Sequence, residues 1–278
     1  MIKVWDYLKE YELLREEILD AVDQVFKGGI LIFGPKLQEF EEKFSIFNDC
    51  KYGIGVGNGT DAITIALRAC KVGVGDEVIT TSNTAVATVT AIVNSGASVK
   101  FIDINEYSLM DVSKLADAIT EKTKAIVPVH LYGQMCEMNT IMDIAKKNNL
   151  KIIEDCAQSH GATHFGKKAG SIGDIGCFSF YPTKIFGAYG DGGFISTNNE
   201  ILFDKMQRIR FLGMEKKKMS SGHWNGKYYA VEHGTNSRLD EVHAAILLKK
   251  LPYLNEWIDR RRAIAARYNK ELKDLNIE

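Results

Sequence analysis

The sequence predicts an α/β fold: a mostly parallel, mixed sheet sandwiched by helices. Two observations carry that expectation. From Tyr52 onward, short apolar segments with strand character alternate with helical segments, the rhythm by which a parallel sheet is covered on both faces. Ahead of Tyr52, two amphipathic helical stretches precede the first strand.

Residues 8–26 place Leu13, Leu14, Ile18, Ala21, Val22 and Val25 on one helical stripe, and residues 36–47 repeat the spacing with Leu37, Phe40, Phe44 and Phe47. A strand at 52–56, a helix at 60–71, a strand at Glu77–Thr81, a helix at 85–95 and a strand at 98–102 follow. Next come a helix at 111–120, the strand KAIVPVH, a helix at 137–149 and the strand KIIED. GCFSFYP and GGFIST stand too close together for a helical crossover, so one of them is expected to run antiparallel or to form a tight local connection. After the helix ILFDKMQRIRFL, residues 213–236 are polar and glycine-rich with no apolar period, which reads as a functional or a disordered loop. Residues 237–250 and Tyr253–Leu275 read as helices separated at Pro252. The chain therefore divides into a large α/β domain over 1–236 and the helical start of a smaller domain over 237–278.

With 278 residues, 45% of them hydrophobic, the chain can bury one large core. Its 35 basic and 36 acidic residues leave a formal charge of -1, which offers nucleic acid and acidic membranes no attraction. A small-molecule ligand is the better expectation. Cys50, Cys70, Cys136, Cys156 and Cys177 lack the paired spacing of a metal or redox site and read as reduced, mostly buried thiols, so no metal is expected. The opening MIKVWDYLKEYELLREEI lacks the basic-then-apolar pattern of a signal peptide, and no apolar run reaches the roughly 18 residues of a membrane span. The cytoplasm is the expected compartment.

Three segments carry chemistry. In GVGNGTDAITIALRA, residues 55–69, a strand runs through glycines into a helix, and the N–H groups of Gly59, Thr60 and Asp61 are placed to receive an anion such as a phosphate. An ordinary turn capped by Asn58 or Thr60 fits the same residues, and neither GxGxxG nor GxxxxGK[ST] is matched. In KIIEDCAQSHGA a buried strand ends at Glu154 and Asp155, where a carboxylate needs a cationic partner to offset desolvation. The plainer alternative is a helix cap by Asp155 with His160 as a satisfied loop histidine. In GCFSFYPTKIFGAYGDGG, Lys184 lies among Phe178, Phe180, Tyr181, Ile185 and Phe186. Desolvation there favours the neutral, nucleophilic amine that imine chemistry needs, although a lysine snorkelling at the rim is the alternative. An anion cradle, a carboxylate for a protonated ring nitrogen and an apolar lysine for an aldehyde are together the requirements of pyridoxal 5'-phosphate.

The sequence also resembles the DegT/DnrJ/StrS sugar aminotransferases, which have the type I aspartate-aminotransferase fold. The likeness runs through GNGTDA, GDEVIT, PVHLYGQ, EDCAQSHGA, SFYPTKIFGAYGDGG and GTNSRLDEVHAAIL. It implies that Lys184 takes the Schiff-base position, that Asp155 pairs with the pyridine nitrogen, and that Gln158 sits near the ring hydroxyl. It further implies that Gly59, Thr60 and Ser179 contact the phosphate, with Asn236 supplied to the same phosphate by a neighbouring subunit, hence a homodimer with shared sites. Ala85 stands where many members carry an aromatic residue that stacks on the cofactor. The chain is shorter than the family norm and lacks most of the C-terminal small domain, by the same comparison.

The implied activity is transfer of an amino group from glutamate to a nucleotide-linked keto sugar. The segments most resemble the subgroup acting at C3 of a dTDP-3-keto-6-deoxyhexose, for surface polysaccharide, lipopolysaccharide or natural-product synthesis. Amination at C4, a dehydratase of the same fold, and a non-catalytic cofactor-binding regulator are the rival readings. Lys216, Lys217, Lys218, His223 and Trp224 offer cations and a ring that a nucleotide diphosphate could use, unless that loop is simply solvated.

Overall fold

The computed structural model describes residues 5–214, 229–273 and 275. It opens with α1 (Leu8–Gly28) and α2 (Pro35–Phe47). Helix α1 buries Leu14, Ile18, Ala21 and Val25, an i, i+4, i+7 pattern. Leu13 departs from its expected place on that stripe and is exposed, since one residue turns a helix by about 100°. The amide groups at the start of α2 are met from far along the chain: the buried Glu241 carboxylate accepts from the backbone N–H of Gly34, Lys36 and Leu37 at 2.8 to 2.9 Å.

The elements that follow are β1 (Tyr52–Val56), α3 (Gly59–Ala69), β2 (Glu77–Thr81), α4 (Val86–Ser95) and β3 (Ser98–Ile102). Then come α5 (Leu115–Ala118), β4 (Thr123–Ile126), α6 (Met138–Lys147), β5 (Lys151–Asp155), β6 (Thr163–His164) and β7 (Lys167–Lys168). The chain continues through β8 (Ile175–Ser179), β9 (Gly193–Thr197), α7 (Glu200–Arg210), α8 (Glu241–Lys250) and α9 (Leu254–Leu272). Seven strands form one sheet in the order β1-β9-β8-β5-β4-β2-β3. β9 pairs antiparallel with β1 and β8, and the other pairings are parallel. β9 is thus the reversed strand of the two adjacent segments. The carboxyl ends of β1, β2, β4, β5 and β8 consequently open on one rim, where ligands of such sheets bind.

Side chains alternate across the sheet and feed a core on each face. Ile79, Ile126, Ile152, Phe178 and Phe194 join Phe40 and Phe44 of α2 on one side. Val78, Ala125, Ile153, Cys177 and Ile195 join Ala62, Ile65, Ile92 and Met206 of α3, α4 and α7 on the other. Leu239, Ala244, Leu247 and Leu254 belong to the first of these cores, so α8 is seated directly on the sheet's helical cover. Ala245 and Ile246 of α8 also receive the buried face of α1.

Several segments differ from expectation. The helix expected over 111–120 is a single 3-10 turn at Val112–Lys114 followed by the short α5, because Asp111 accepts from the Ser113 N–H and hydroxyl and starts a local turn. KAIVPVH is in regular ladder only to Ile126, as Pro128 has no N–H to offer. The β6–β7 hairpin went unread: its turn residues, Phe165 and Gly166, both have positive φ, 47° and 80°, without the Asn-Gly signal that usually marks such a turn. Pro252 is accommodated at the start of a 3-10 turn, Leu251–Tyr253, that links α8 to α9.

Candidate active site

The β1–α3 turn forms the first wall of the rim. Asn58 caps α3, its Oδ1 accepting from the Asp61 N–H at 2.8 Å while its Nδ2 donates to Asp61 Oδ2 at 3.2 Å. The cap therefore uses the Asp61 N–H, and the cradle is made of the Gly59 and Thr60 amides alone, a correction to the expected trio. Gly59 is required here by close approach: a Cβ at that position would lie 2.8 Å from the Cβ of Ser179, at the end of β8. β9 presses in from behind, since a Cβ on Gly193 would lie 2.4 Å from the Asn58 carbonyl. Ser179 thus packs directly against the open helix start, so that its hydroxyl neighbours the Gly59 and Thr60 amides and the three together could hold a phosphate.

β5 carries two neighbouring carboxylates to opposite faces. Asp155 Oδ2 accepts from the Thr88 hydroxyl at 2.7 Å and Oδ1 from the Ala157 N–H at 3.1 Å. Because Thr88 donates to a carboxylate, its 2.8 Å contact with the Thr84 hydroxyl must be donated by Thr84. The SNTAVAT segment, where Ala85 is exposed at the N-cap of α4, therefore supplies a Thr84–Thr88–Asp155 chain. These threonines carried no motif in the sequence, and only the fold reveals them.

Glu154 does not face the rim. Its fully buried carboxylate accepts from the N–H groups of Gly170, Ile172 and Gly173 at 2.7 to 3.0 Å and lies 2.9 Å from His130 Nε2. The Cys136 N–H donates to His130 Nδ1 at 3.2 Å, which leaves the proton on Nε2, directed at Glu154. His130, Glu154 and Cys156 come together closely enough to suggest a metal cluster. The carboxylate and imidazole are already engaged, and burial holds the Cys156 thiol pKa well above its ordinary value, so this group is a structural latch. All five cysteines are free, and burial pushes Cys50 up to about 11 and Cys70 up to about 12.

Lys184 lies on the segment after β8, its own N–H donating to the Tyr181 carbonyl at 2.9 Å. Beneath that segment Phe44, Phe180, Phe186 and Phe194 interlock, with centroids 4.9 Å apart for Phe44 and Phe194 and 5.4 Å for Phe44 and Phe186. Burial lowers the Lys184 pKa below the ordinary lysine range, and the Asp155 charge opposes that shift. Lys250 reaches from α8 to the Gly187 carbonyl and pairs with Glu10 at 2.6 Å, tying down the segment's glycine-rich continuation.

Lys184 opens on a cavity of about 960 Å³ lined also by Tyr132, Gln158, His160, Thr183 and, from α9, Arg261. Gln158 Oε1 accepts from the Tyr132 N–H at 2.9 Å and steadies a residue held at φ 58°. His160 is not the satisfied loop histidine of the plainer reading. It is 3% exposed, caged by Phe44, Phe178, Phe180 and Phe186, and neither ring nitrogen makes a well-formed hydrogen bond, the Ser179 backbone interacting with the ring without satisfying it. Burial, aided by the Lys184 charge, holds its pKa down at about 3, so the ring is neutral at physiological pH.

Asn236 is exposed and follows a different path from the rest. It bridges to Phe211, while its neighbour Ser237 accepts from the Gly57 N–H at 2.9 Å and donates to Asp61 Oδ2 at 2.6 Å. The fold thus brings Asn236 beside its own cradle but turned to solvent. Lys216, Lys217, Lys218, His223 and Trp224 lie outside the described residues.

An anion cradle, a carboxylate with an oriented hydroxyl, and a lysine of lowered pKa fit pyridoxal phosphate, and the comparisons with known proteins agree. Residues 12–278 match the model of the DegT/DnrJ/EryC1/StrS aminotransferase family. The chain belongs to that family. This aminotransferase is 46% identical over 274 residues to the dTDP-3-amino-3,4,6-trideoxy-alpha-D-glucose transaminase of Micromonospora megalomicea subsp. nigra, covering 98% of this chain and 71% of the relative. It is 47% identical over 262 residues to the dTDP-3-amino-3,6-dideoxy-alpha-D-galactopyranose transaminase of Aneurinibacillus thermoaerophilus, covering 94% and 69%. Among solved structures, DesV of S. venezuelae in complex with a ketimine intermediate superposes with a TM-score of 0.90 at 37% identity, over 97% of this chain and 70% of that one. No helix among the described residues is long and apolar enough to cross a membrane.

Proposed function

We propose that this aminotransferase moves an amino group from glutamate to C3 of a dTDP-linked 3-keto-6-deoxyhexose. The observation that carries the reading is the meeting of Lys184, Asp155 and the Gly59–Thr60–Ser179 cradle on one rim, and the names of the two relatives support the C3 position. Pyridoxal phosphate, when bound, supplies an electron-withdrawing ring and an aldehyde.

The chain's own residues do the rest. The Gly59 and Thr60 amides and the Ser179 hydroxyl hold the phosphate at the positive end of α3. Asp155, oriented by Thr88, keeps a proton on the ring nitrogen, and Gln158 stands by the ring hydroxyl. Ala85 leaves the ring face less covered than an aromatic residue would. Lys184 Nζ would hold the cofactor by its aldehyde and, when released, would serve as the base that accepts and returns a proton, a role its lowered pKa favours. Asn236 of a second copy completes the phosphate site, so the working form is a homodimer. The proposed division runs from a large domain at 1–236 to the start of a smaller one at 237–278, whose first helix, α8, packs onto the core of the large domain, in a cytoplasmic enzyme whose product feeds surface polysaccharide or natural-product synthesis.

Incubation with glutamate and either a dTDP-3-keto or a dTDP-4-keto sugar, with NMR to locate the new amine, tests the reading. Nitrogen at C3 is expected; nitrogen at C4 overturns the regiochemistry. Lys184→Ala should lose both turnover and the borohydride-sensitive cofactor absorbance, and an active variant would refute the assignment of Lys184.

A further inference from the structure

A second cavity, of about 490 Å³, adjoins the Lys184 segment and is walled by Trp5, Tyr7, Leu8, Tyr11, Pro182 and Tyr189. Its walls are aromatic faces that do not fill one another's space. Trp5 and Tyr7 lie 5.3 Å apart with planes tilted by 31°, Tyr7 and Tyr189 lie 5.9 Å apart at 55°, and Tyr11 meets Tyr189 edge-on at 6.0 Å. Trp5 and Tyr7 remain 41% and 43% exposed, although burial of an aromatic side chain is among the most favourable steps in packing. The Tyr189 hydroxyl donates to Glu10 at 3.2 Å and is fixed. No hydrogen bond within the chain occupies the Trp5 indole N–H or the Tyr7 and Tyr11 hydroxyls among the described residues, so donors remain at the edges of the stacking faces.

The position matters as much as the composition. Pro182 lines this cavity, and Thr183 and Lys184 line the other. Two residues of chain span at most about 7 Å, so the Pro182 edge of the aromatic cavity lies within that reach of the lysine backbone. An amino-acid donor is small, charged and flexible, and has no use for flat apolar walls. A nucleotide-linked sugar carries a flat, uncharged heteroaromatic ring at the far side of its diphosphate. Bases stack on such side chains whatever their identity, and ring-edge donors add discrimination.

We propose that the aromatic cavity of Trp5, Tyr7, Tyr11 and Tyr189 is the nucleobase subsite for the nucleotide-linked substrate. The assignment rests on the nucleotide-sugar reading given above and extends it to the part of the substrate farthest from the reacting carbon. Trp5 and Tyr7 precede α1 and lie outside the core, so their replacement leaves the fold intact.

Calorimetric titration of the holoenzyme with thymidine 5'-diphosphate, and separately with inorganic pyrophosphate, tests it in the parent chain and in Trp5→Ala and Tyr7→Ala. Each variant is expected to bind thymidine diphosphate roughly 10- to 100-fold more weakly, the effect of one lost base stack. Pyrophosphate binding and the glutamate half-reaction, which involve no base, should be unchanged, and the KM for the nucleotide sugar should rise with kcat nearly constant. Variants that bind the nucleotide like the parent overturn the subsite. So do variants that lose the dimer on gel filtration, since the aromatic wall then packs a second copy. A parent enzyme that converts glutamate yet binds no thymidine diphosphate sinks the nucleotide reading itself, and this subsite with it.

Discussion

Glu154 and Asp155 are successive residues of β5, yet they face environments built on opposite principles. Glu154 is surrounded by four donors from the chain, three backbone amides and His130, and has no opening to the rim. Asp155 receives one hydroxyl and one amide and lies at the carboxyl end of the strand, near enough for its charge to act on Lys184. A carboxylate that the protein fully satisfies serves the fold, and one left partly unsatisfied at a strand end is available to a ligand. The period of two along a strand is enough to separate the two roles.

Exchanging the two neighbours should separate them experimentally. Glu154→Ala leaves three buried amides and an imidazole N–H without an acceptor, and should cost about 3–5 kcal/mol of stability in urea unfolding. Asp155→Asn keeps the shape and most hydrogen bonds, so unfolding should shift by about 1 kcal/mol or less. Its turnover should fall on the order of 10²- to 10⁴-fold, because an amide cannot hold a proton on a ring nitrogen. If Glu154→Ala were fully stable and Asp155→Asn fully active, the contrast would be wrong. A smaller effect belongs to Thr88→Val, which removes a charge-assisted bond to Asp155 and should cost about 1.5–3 kcal/mol, read as the combined loss in turnover and stability. Thr84→Val should reproduce only part of that loss, being one hydroxyl farther away.

The sheet was legible because its strands are short, apolar and bounded by glycine or acidic residues. Tyr52–Val56, Glu77–Thr81, Ser98–Ile102 and Lys151–Asp155 fall where the pattern places them. The gathering of Lys184, Asp155 and Gly59 on one rim was legible for a related reason, since each follows or ends a strand and strand ends of one direction share a rim, whereas Ser179 was named only through the family resemblance. What stayed hidden depends on through-space partners. The Thr84–Thr88–Asp155 chain joins residues far apart in sequence, and the cage around His160 takes its rings from α2, β8 and the Lys184 segment. Glu154 and His160 were both adjacent to the right motif. Only packing distinguishes the saturated carboxylate from the unsatisfied imidazole.

His160 extends the comparison to a neutral group. Two unpaired ring nitrogens in a phenylalanine cage lower stability, and removing them with His160→Leu should raise it by about 1–3 kcal/mol at neutral pH. The acid side gives an independent measure with a definite sign. The folded ring has its pKa lowered to about 3 from 6.5, so the unfolded chain binds the proton first and stability falls as pH drops below 6.5 toward 3, by up to about 1.4 kcal/mol per pH unit. Urea unfolding at a series of pH values should show that slope in the parent and a shallower one in His160→Leu. A variant both more stable and less active would place His160 with Asp155, as a group whose missing partner arrives with the ligand. A variant unchanged in stability and in slope would mean that water already satisfies the ring, and the contrast would then end at the two carboxylates.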